Sequence, residues 1–233
     1  MNGSTKWRLF KVLGHTVYMT PMFLLIMALL AFQGVNTAQQ LLIGLLYLPV
    51  LFIGILLHEL GHAQMSKKLG FGSSEVMFWG LGGLAINHSA RRRTPKESIA
   101  VSLAGPAVSL GLGALSAAAL YGYAGSFSPP DMLGQFLYLM MGLNLFWGVF
   151  NMLPIYPMDG GQATRSFLEI VMKKRRRDVP RLTGIISIVT LVLVLGFASF
   201  ALRPDIFMLF LALYFGWINV KLIRQGDAQM RWY

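Results

Sequence analysis

The sequence predicts an all-α membrane protein: a six-transmembrane-helix bundle with a small β-hairpin or sheet after the second helix. Three observations predict it. Of the 233 residues, 55% are hydrophobic and 12% charged, about half the charged share of a typical soluble domain. Four runs carry no Asp, Glu, Lys or Arg: Val12–Leu57, Ser98–Pro130, Met132–Met158 and Leu182–Leu202. The basic residues are distributed to one side of the resulting topology.

A spanning helix needs about 20 largely apolar residues. The first run is long enough for two, broken near Gln33–Gln40, and Ile206–Val220 forms the core of a last, shorter one. The predicted helices are 14–33, 41–66, 98–124, 132–152, 183–202 and 205–223. The longest connecting loop, 67–97, leaves no room for a separate soluble domain, so residues 1–233 read as a single polytopic membrane domain. No internal repeat and no low-complexity linker is visible.

Placing the N-terminus in the cytoplasm puts 3 basic residues before the first helix, 6 in loop 67–97, 7 in loop 160–182 and 3 at the C-terminal end. Arg203 alone falls outside. This is the positive-inside pattern, with both termini cytoplasmic and the cell membrane as the expected location. The runs Arg91–Arg93 and Lys173–Arg177 then lie on anionic headgroups. The net charge of +11 therefore does not signal nucleic acid, and no aromatic residues interleave these runs. The absence of cysteine excludes disulfides and thiolate metal sites. Lys6, Arg8 and Lys11 ahead of an apolar run look like a signal peptide, but five further spans favour a retained helix.

One segment does not look helical. Within Gly70–His88, Ser74–Trp79 and Leu84–Asn87 flank Gly80-Leu81-Gly82-Gly83, the pattern of two short strands about a glycine turn.

Ionisable groups inside a bilayer are costly and mark function. Of nine acids, seven fall in loops or at helix ends. The other two are Glu59, inside the second helix, and Asp159, just beyond the fourth. Glu59 belongs to His58-Glu59-Leu60-Gly61-His62. Residues four apart share a helix face, so His58 and His62 can offer two imidazole nitrogens to one zinc ion, with Glu59 beside it as general base. Three polar groups this close in a lipid-embedded helix need partners. His58 lies nine residues before Lys67, about 13 Å below the cytoplasmic headgroups at 1.5 Å per residue. A site there needs a hydrated, protein-lined cavity.

A catalytic zinc commonly has three protein ligands and an open position. Candidates for the third are His15, His88, Glu169, Asp178 and Asp159. The second and fourth helices run the same way, so their C-terminal ends share a leaflet. The stretch Asn151–Gly161 follows the fourth helix at that end. Pro154 and Pro157 cannot extend a helix, and broken backbone at membrane depth normally lines a cavity. Asp159 is thus the best-placed third ligand. Glu169 lies too far toward water. His15 and His88 sit near headgroups as bystanders.

Two motifs in matching order, His58-Glu59-Leu60-Gly61-His62 and Leu143–Gly161 with its Asn151, Pro154, Pro157, Asp159 and Gly160, resemble the site-2 proteases, a family of intramembrane zinc metalloproteases. Ala104-Gly105-Pro106-Ala107 and Gly82-Gly83 add to the likeness, which spans roughly 50–165. One departure is Ser109, where the family often has Asn shortly after the Gly-Pro pair; the position is not a ligand. The resemblance implies one catalytic zinc ion bound by His58, His62 and Asp159. It implies Glu59 as catalytic acid/base and Asn151 as a residue that positions substrate or stabilises the oxyanion. A capping role for Asn151 in the broken helix is an equal alternative, and Asn144 reads as a helix–helix hydrogen bond.

The expected activity is hydrolysis of peptide bonds in or near transmembrane segments of membrane-protein substrates. The predicted strand after Gly83 would hold an unwound substrate by β-augmentation. A catalytically silent membrane scaffold and a zinc or ion transporter are the alternatives. An intact His-Glu-x-x-His argues against the first, and the lack of a repeat between halves argues against the second. Substrate identity and oligomeric state are not legible.

Overall fold

The computed structural model describes residues 6–226 except 33, 81, 130, 174 and 202–205. Arg203, the basic residue expected outside, and the Gln33, Leu202 and Asp205 ends of three expected helices fall outside the described residues. The described chain is mostly helical with one small four-stranded sheet. It packs as two compact units. One comprises the chain up to Arg92 with Ala104–Val149; the other comprises Arg93–Leu103 and the chain from Phe150.

The first unit opens with a hairpin, β1 (Trp7–Val12) and β2 (His15–Met19), followed by α1 (Pro21–Ala31) and α2 (Ala38–Ser66). Then come β3 (Ser74–Trp79), β4 (Gly82–Asn87), α3 (Pro95–Ala124), which belongs to this unit from Ala104, and α4 (Met132–Asn151), which belongs to it up to Val149. The sheet order is β1-β2-β3-β4. The outer pairs are antiparallel, whereas β2 and β3 run parallel in the register Thr16↔Glu75 to Met19↔Phe78. The hairpin expected within 70–88 is β3–β4, paired through Phe78↔Gly83.

The N-terminal hairpin corrects the expected helix 14–33. Leu13 and Gly14 both have positive φ, +52° and +90°, the requirement of a tight two-residue turn. His15, Val17 and Met19 point inward while Thr16 and Tyr18 are half-buried, an alternation of period two that a helix cannot satisfy. Thr20 then donates both its backbone N–H and its hydroxyl to Phe78 O, at 3.0 and 3.1 Å, and Pro21 starts α1 where a missing N–H costs nothing. What remains helical is 11 residues, about 17 Å long against a hydrocarbon core of roughly 30 Å.

Among the described residues, four helices are long and apolar enough to cross a membrane: Ala38–Phe71, which is α2 with its C-terminal turn, then α3, α4 and Val179–Phe200. By length and composition these are four of the six expected spanning helices among the described residues. α2 begins at a capping box in which Thr37 Oγ1 accepts from Gln40 N and the Gln40 side chain accepts from Thr37 N. Its inner face joins Val17, Met19, Phe23, Val76 and Phe78 in one apolar core with Leu51, Ile55, Leu60 and Ala63. The Phe78 ring lies 4.8 Å from that of Phe23 and 4.9 Å from that of Phe52. The sheet is thereby fixed against the turn of α2 that carries the histidines.

The second unit contains residues 152–158, which form no regular element, then α5 (Asp159–Val171), α6 (Val179–Ala201) and α7 (Ile206–Gln225). α5 corrects the expected loop 160–182. It is strongly amphipathic, and its polar residues hid it from a search for apolar runs. Gly184 lets α6 and α7 approach closely: a Cβ there would lie 2.9 Å from Asn219 O and 2.6 Å from Ile223 Cγ1.

Candidate metal centre

His58, Glu59 and His62 lie on the C-terminal third of α2 and are buried, at 3%, 7% and 8% exposure. The i, i+4 spacing brings the two Nε2 atoms to 3.1 Å, with ring planes inclined by 77°. Two nitrogens bound to one tetrahedral zinc at ~2.0–2.1 Å are about 3.3 Å apart, so this pair already faces a common point. His58 and His62 belong to the first unit, and Asp159 opens α5 in the second. Two imidazoles and one carboxylate form the donor set of a catalytic zinc with an open position, and the residues present fit one zinc ion.

The surroundings explain how the rings are seated. Gly105 of α3 faces them: a Cβ there would collide with His62 Nε2 and come within 2.8 Å of His58 Nε2. Gly61 allows the helices this proximity, because its Cβ would meet Ala104 O at 2.8 Å. His58 Nδ1 lies 2.9 Å from Ser109 Oγ, itself 1% exposed. A metal-bound histidine normally has its second ring nitrogen held by a hydrogen bond that fixes ring orientation. Ser109 supplies that bond, so this position has a place at the site that its not being a ligand had obscured. Its signal in the sequence was a hydroxyl four residues after Gly105 on an apolar helix. Gly83 of β4 plays the matching part for Glu59: a Cβ there would strike Glu59 Cγ and stand 2.8 Å from Glu59 Oε1. The glycine noted in the sequence thus makes room for the carboxylate.

The remaining candidates are dispersed. His15 is fully buried in β2, where its Nδ1 accepts from Ser74 N at 2.9 Å. The His88 side chain is 68% exposed and lies 3.6 Å from Glu75 Oε1. Glu169 is 3.6 Å from Arg165 one turn earlier in α5, and Asp178 sits in a single 3-10 turn, Arg176–Asp178. Asn151 is half-buried at the C-terminal end of α4. Asn144 is 1% exposed and donates to Met140 O in its own helix at 2.8 Å, beside Gly54 of α2.

Residues 130–197 match the peptidase family M50. Zinc metalloprotease MJ0392 of Methanocaldococcus jannaschii is 30% identical over 163 residues, covering 69% of this chain and 45% of that protein. The Mycobacterium tuberculosis protein Rip3 is 32% identical over 188 residues, covering 78% of this chain and 46% of its own length. The chain thus spans about half the length of the curated relatives it matches. A solved site-2 protease from Methanocaldococcus jannaschii superposes with a TM-score of 0.61 at 24% identity, covering 94% of this chain and 96% of that one; this is a likeness of fold. With its long apolar helices, the chain is an integral membrane protein, and it belongs to the site-2 protease family, peptidase family M50.

Proposed function

We propose that this chain is an intramembrane zinc metalloprotease that hydrolyses peptide bonds in or near transmembrane segments of membrane-protein substrates. The observation that carries the reading is the buried His58–His62 nitrogen pair, with a carboxylate neighbour, Glu59, on the same helical turn. In this reading His58, His62 and Asp159 hold the ion. When bound, zinc brings the pKa of water toward neutrality and polarises a carbonyl.

The chain's own residues do the rest. Glu59 takes the proton from the attacking water and delivers it to the leaving nitrogen. Asn151 offers an amide N–H to the charge that develops on the carbonyl oxygen. Among the described residues β4 is the last strand of the sheet; in this reading its outer edge takes an extended peptide, and Gly83 on it neighbours Glu59. A substrate helix unwound along that edge would exchange its internal hydrogen bonds for strand pairing.

The reading includes six crossings in the cell membrane with both termini cytoplasmic. The test is co-expression with candidate single-pass membrane proteins. Glu59→Gln is expected to retain zinc and to lose at least ~100-fold in cleavage rate. Unchanged fragment patterns in Glu59→Gln overturn the reading.

A further inference from the structure

We propose that Ser187 of α6 and Asn219 of α7 are positioning residues that hold the broken segment before α5, and through it set where Asp159 stands. The inference rests on the reading of Asp159 as a zinc ligand.

Residues 152–158 cannot satisfy their own backbone. Pro154 and Pro157 lack N–H groups, and in lipid every remaining polar group needs a partner from the protein. Neighbours supply some: Ile155 N donates to Leu153 O at 2.7 Å, and Met158 N to Ile155 O at 2.8 Å. Tyr156 is held differently. Its N–H donates to Ser187 Oγ at 2.9 Å, and its carbonyl accepts from Asn219 Nδ2 at 2.6 Å. Both groups of one peptide residue are thus paired by side chains 31 and 63 residues further along the chain.

The polarity of this clamp is fixed on both sides. Ser187 donates its hydroxyl proton to Thr183 O at 2.8 Å, which leaves its oxygen to accept from Tyr156. Asn219 uses both amide hydrogens, on Tyr156 O and on Phe215 O at 2.8 Å. A flipped amide would face two carbonyls with an oxygen. Ser187 and Asn219 are fully buried, and Asn219 Oδ1 is left without a hydrogen bond. A buried amide with one end unsatisfied is costly in an apolar helix, which points to the carbonyl it serves.

The clamp is coupled to Asp159 through close packing. Gly160 and Gly161 open α5 directly against the held segment. A Cβ on Gly160 would strike the carbonyl oxygens of Met152 and Leu153, and one on Gly161 would strike Ile155 C and Tyr156 N. Gln162 Nε2 also donates to Pro157 O at 3.0 Å. The first turn of α5, which begins with Asp159, therefore moves with Tyr156.

The experiment is zinc titration of the purified full chain in detergent, against a competing chelator, with thermal unfolding of the metal-free protein alongside. Asn219→Leu and the milder Ser187→Ala are each expected to weaken zinc binding about tenfold, the size of outer-sphere effects on metal sites. Thr183→Val, which removes a hydroxyl bonded only within α6 to Val179 O, is expected to bind zinc like the native chain. In an Asp159→Ala background, Asn219→Leu should produce no further weakening, because its effect runs through that carboxylate. A purely structural role would persist in that background. Native zinc affinity in both clamp variants, or an undiminished effect without Asp159, overturns the proposal. If Asp159→Ala itself binds zinc like the native chain, the ligand reading beneath it fails instead.

Discussion

Gly105→Ala adds one methyl group to a residue that binds nothing, and its consequence can be worked from the geometry. On the helical backbone of α3 the position of the new carbon is fixed. It would lie 2.8 Å from His58 Nε2 and 2.5 Å from His62 Cε1, whereas ordinary contact begins at 3.4 Å. The His58 ring must therefore retreat by about 0.6 Å and the His62 ring, whose Nε2 is nearer still, by more than about 0.9 Å, several times the ~0.2 Å tolerance of a zinc–ligand bond. Ser109 holds His58 from behind, which limits the retreat. Two of three donors are disturbed at once, so the loss should exceed the 10–100-fold typical of outer-sphere changes. We expect at least ~100-fold weaker zinc binding, about 2.7 kcal/mol. Helix propensity works the other way, favouring alanine by up to ~1 kcal/mol, so the metal-free protein should not be destabilised by backbone terms. Gly111→Ala on the same helix, where a Cβ meets nothing within 4 Å, is the matched control and should bind zinc normally. Chelator-competition titration of both purified variants is the assay. Zinc binding in Gly105→Ala within threefold of the control would refute the claim that this glycine seats the histidine pair.

Three further outcomes are expected. Ser109→Ala should weaken zinc binding about tenfold while Ser109→Thr retains it, measured by the same titration; equal affinities would remove Ser109 from the site. Asp159→Ala should weaken zinc binding at least ~100-fold while leaving the measurable affinity of the histidine pair, whereas Glu169→Ala, which removes an ion pair with Arg165, should leave it intact; chelator-competition titration decides. Asp131 Oδ1 accepts from Gly134 N at 2.9 Å, and Oδ2 accepts from Tyr123 OH at 2.5 Å. These bonds, the backbone one first, hold its carboxyl below the usual carboxylate range. A depressed folded pKa means a contribution to stability that is complete above the unfolded value near 4 and lost as pH falls through the lower folded value. Acid unfolding monitored from pH 6 to pH 2 should therefore separate Asp131→Asn from the native chain at the upper pH values, with convergence at the lowest. Parallel curves throughout would exclude this linkage.

The long apolar helices were legible because lipid imposes a coarse rule, a run of some twenty residues without charge. α2, α3 and α4 accordingly begin or end within three residues of where charge and proline placed them. The His58–His62 pair was legible because helical spacing alone puts both on one face. Elements that do not obey the apolar-run rule were lost. β1 and β2 are paired across a turn whose positive φ at Leu13 carries no residue signature, and the charge-free stretch after Val12 concealed a strand inside an apparent helix. α5 was lost for the opposite reason, since Arg165 and Glu169 made it look like loop. Ser109, Ser187 and Asn219 were invisible as functional residues because their partners are contributed by distant segments, and no local pattern encodes that pairing.

The parallel contact between β2 and β3 also constrains how the molecule is made. Thr16 cannot meet Glu75 until the intervening chain has left the ribosome, which at ~5–20 residues per second takes roughly 3–12 s. During that interval the early hairpin has an open edge in the strand now covered by β3, and α2 must first be laid down across the bilayer. The buried histidine pair thus gains its sheet-side wall late, after insertion of the helix that carries it.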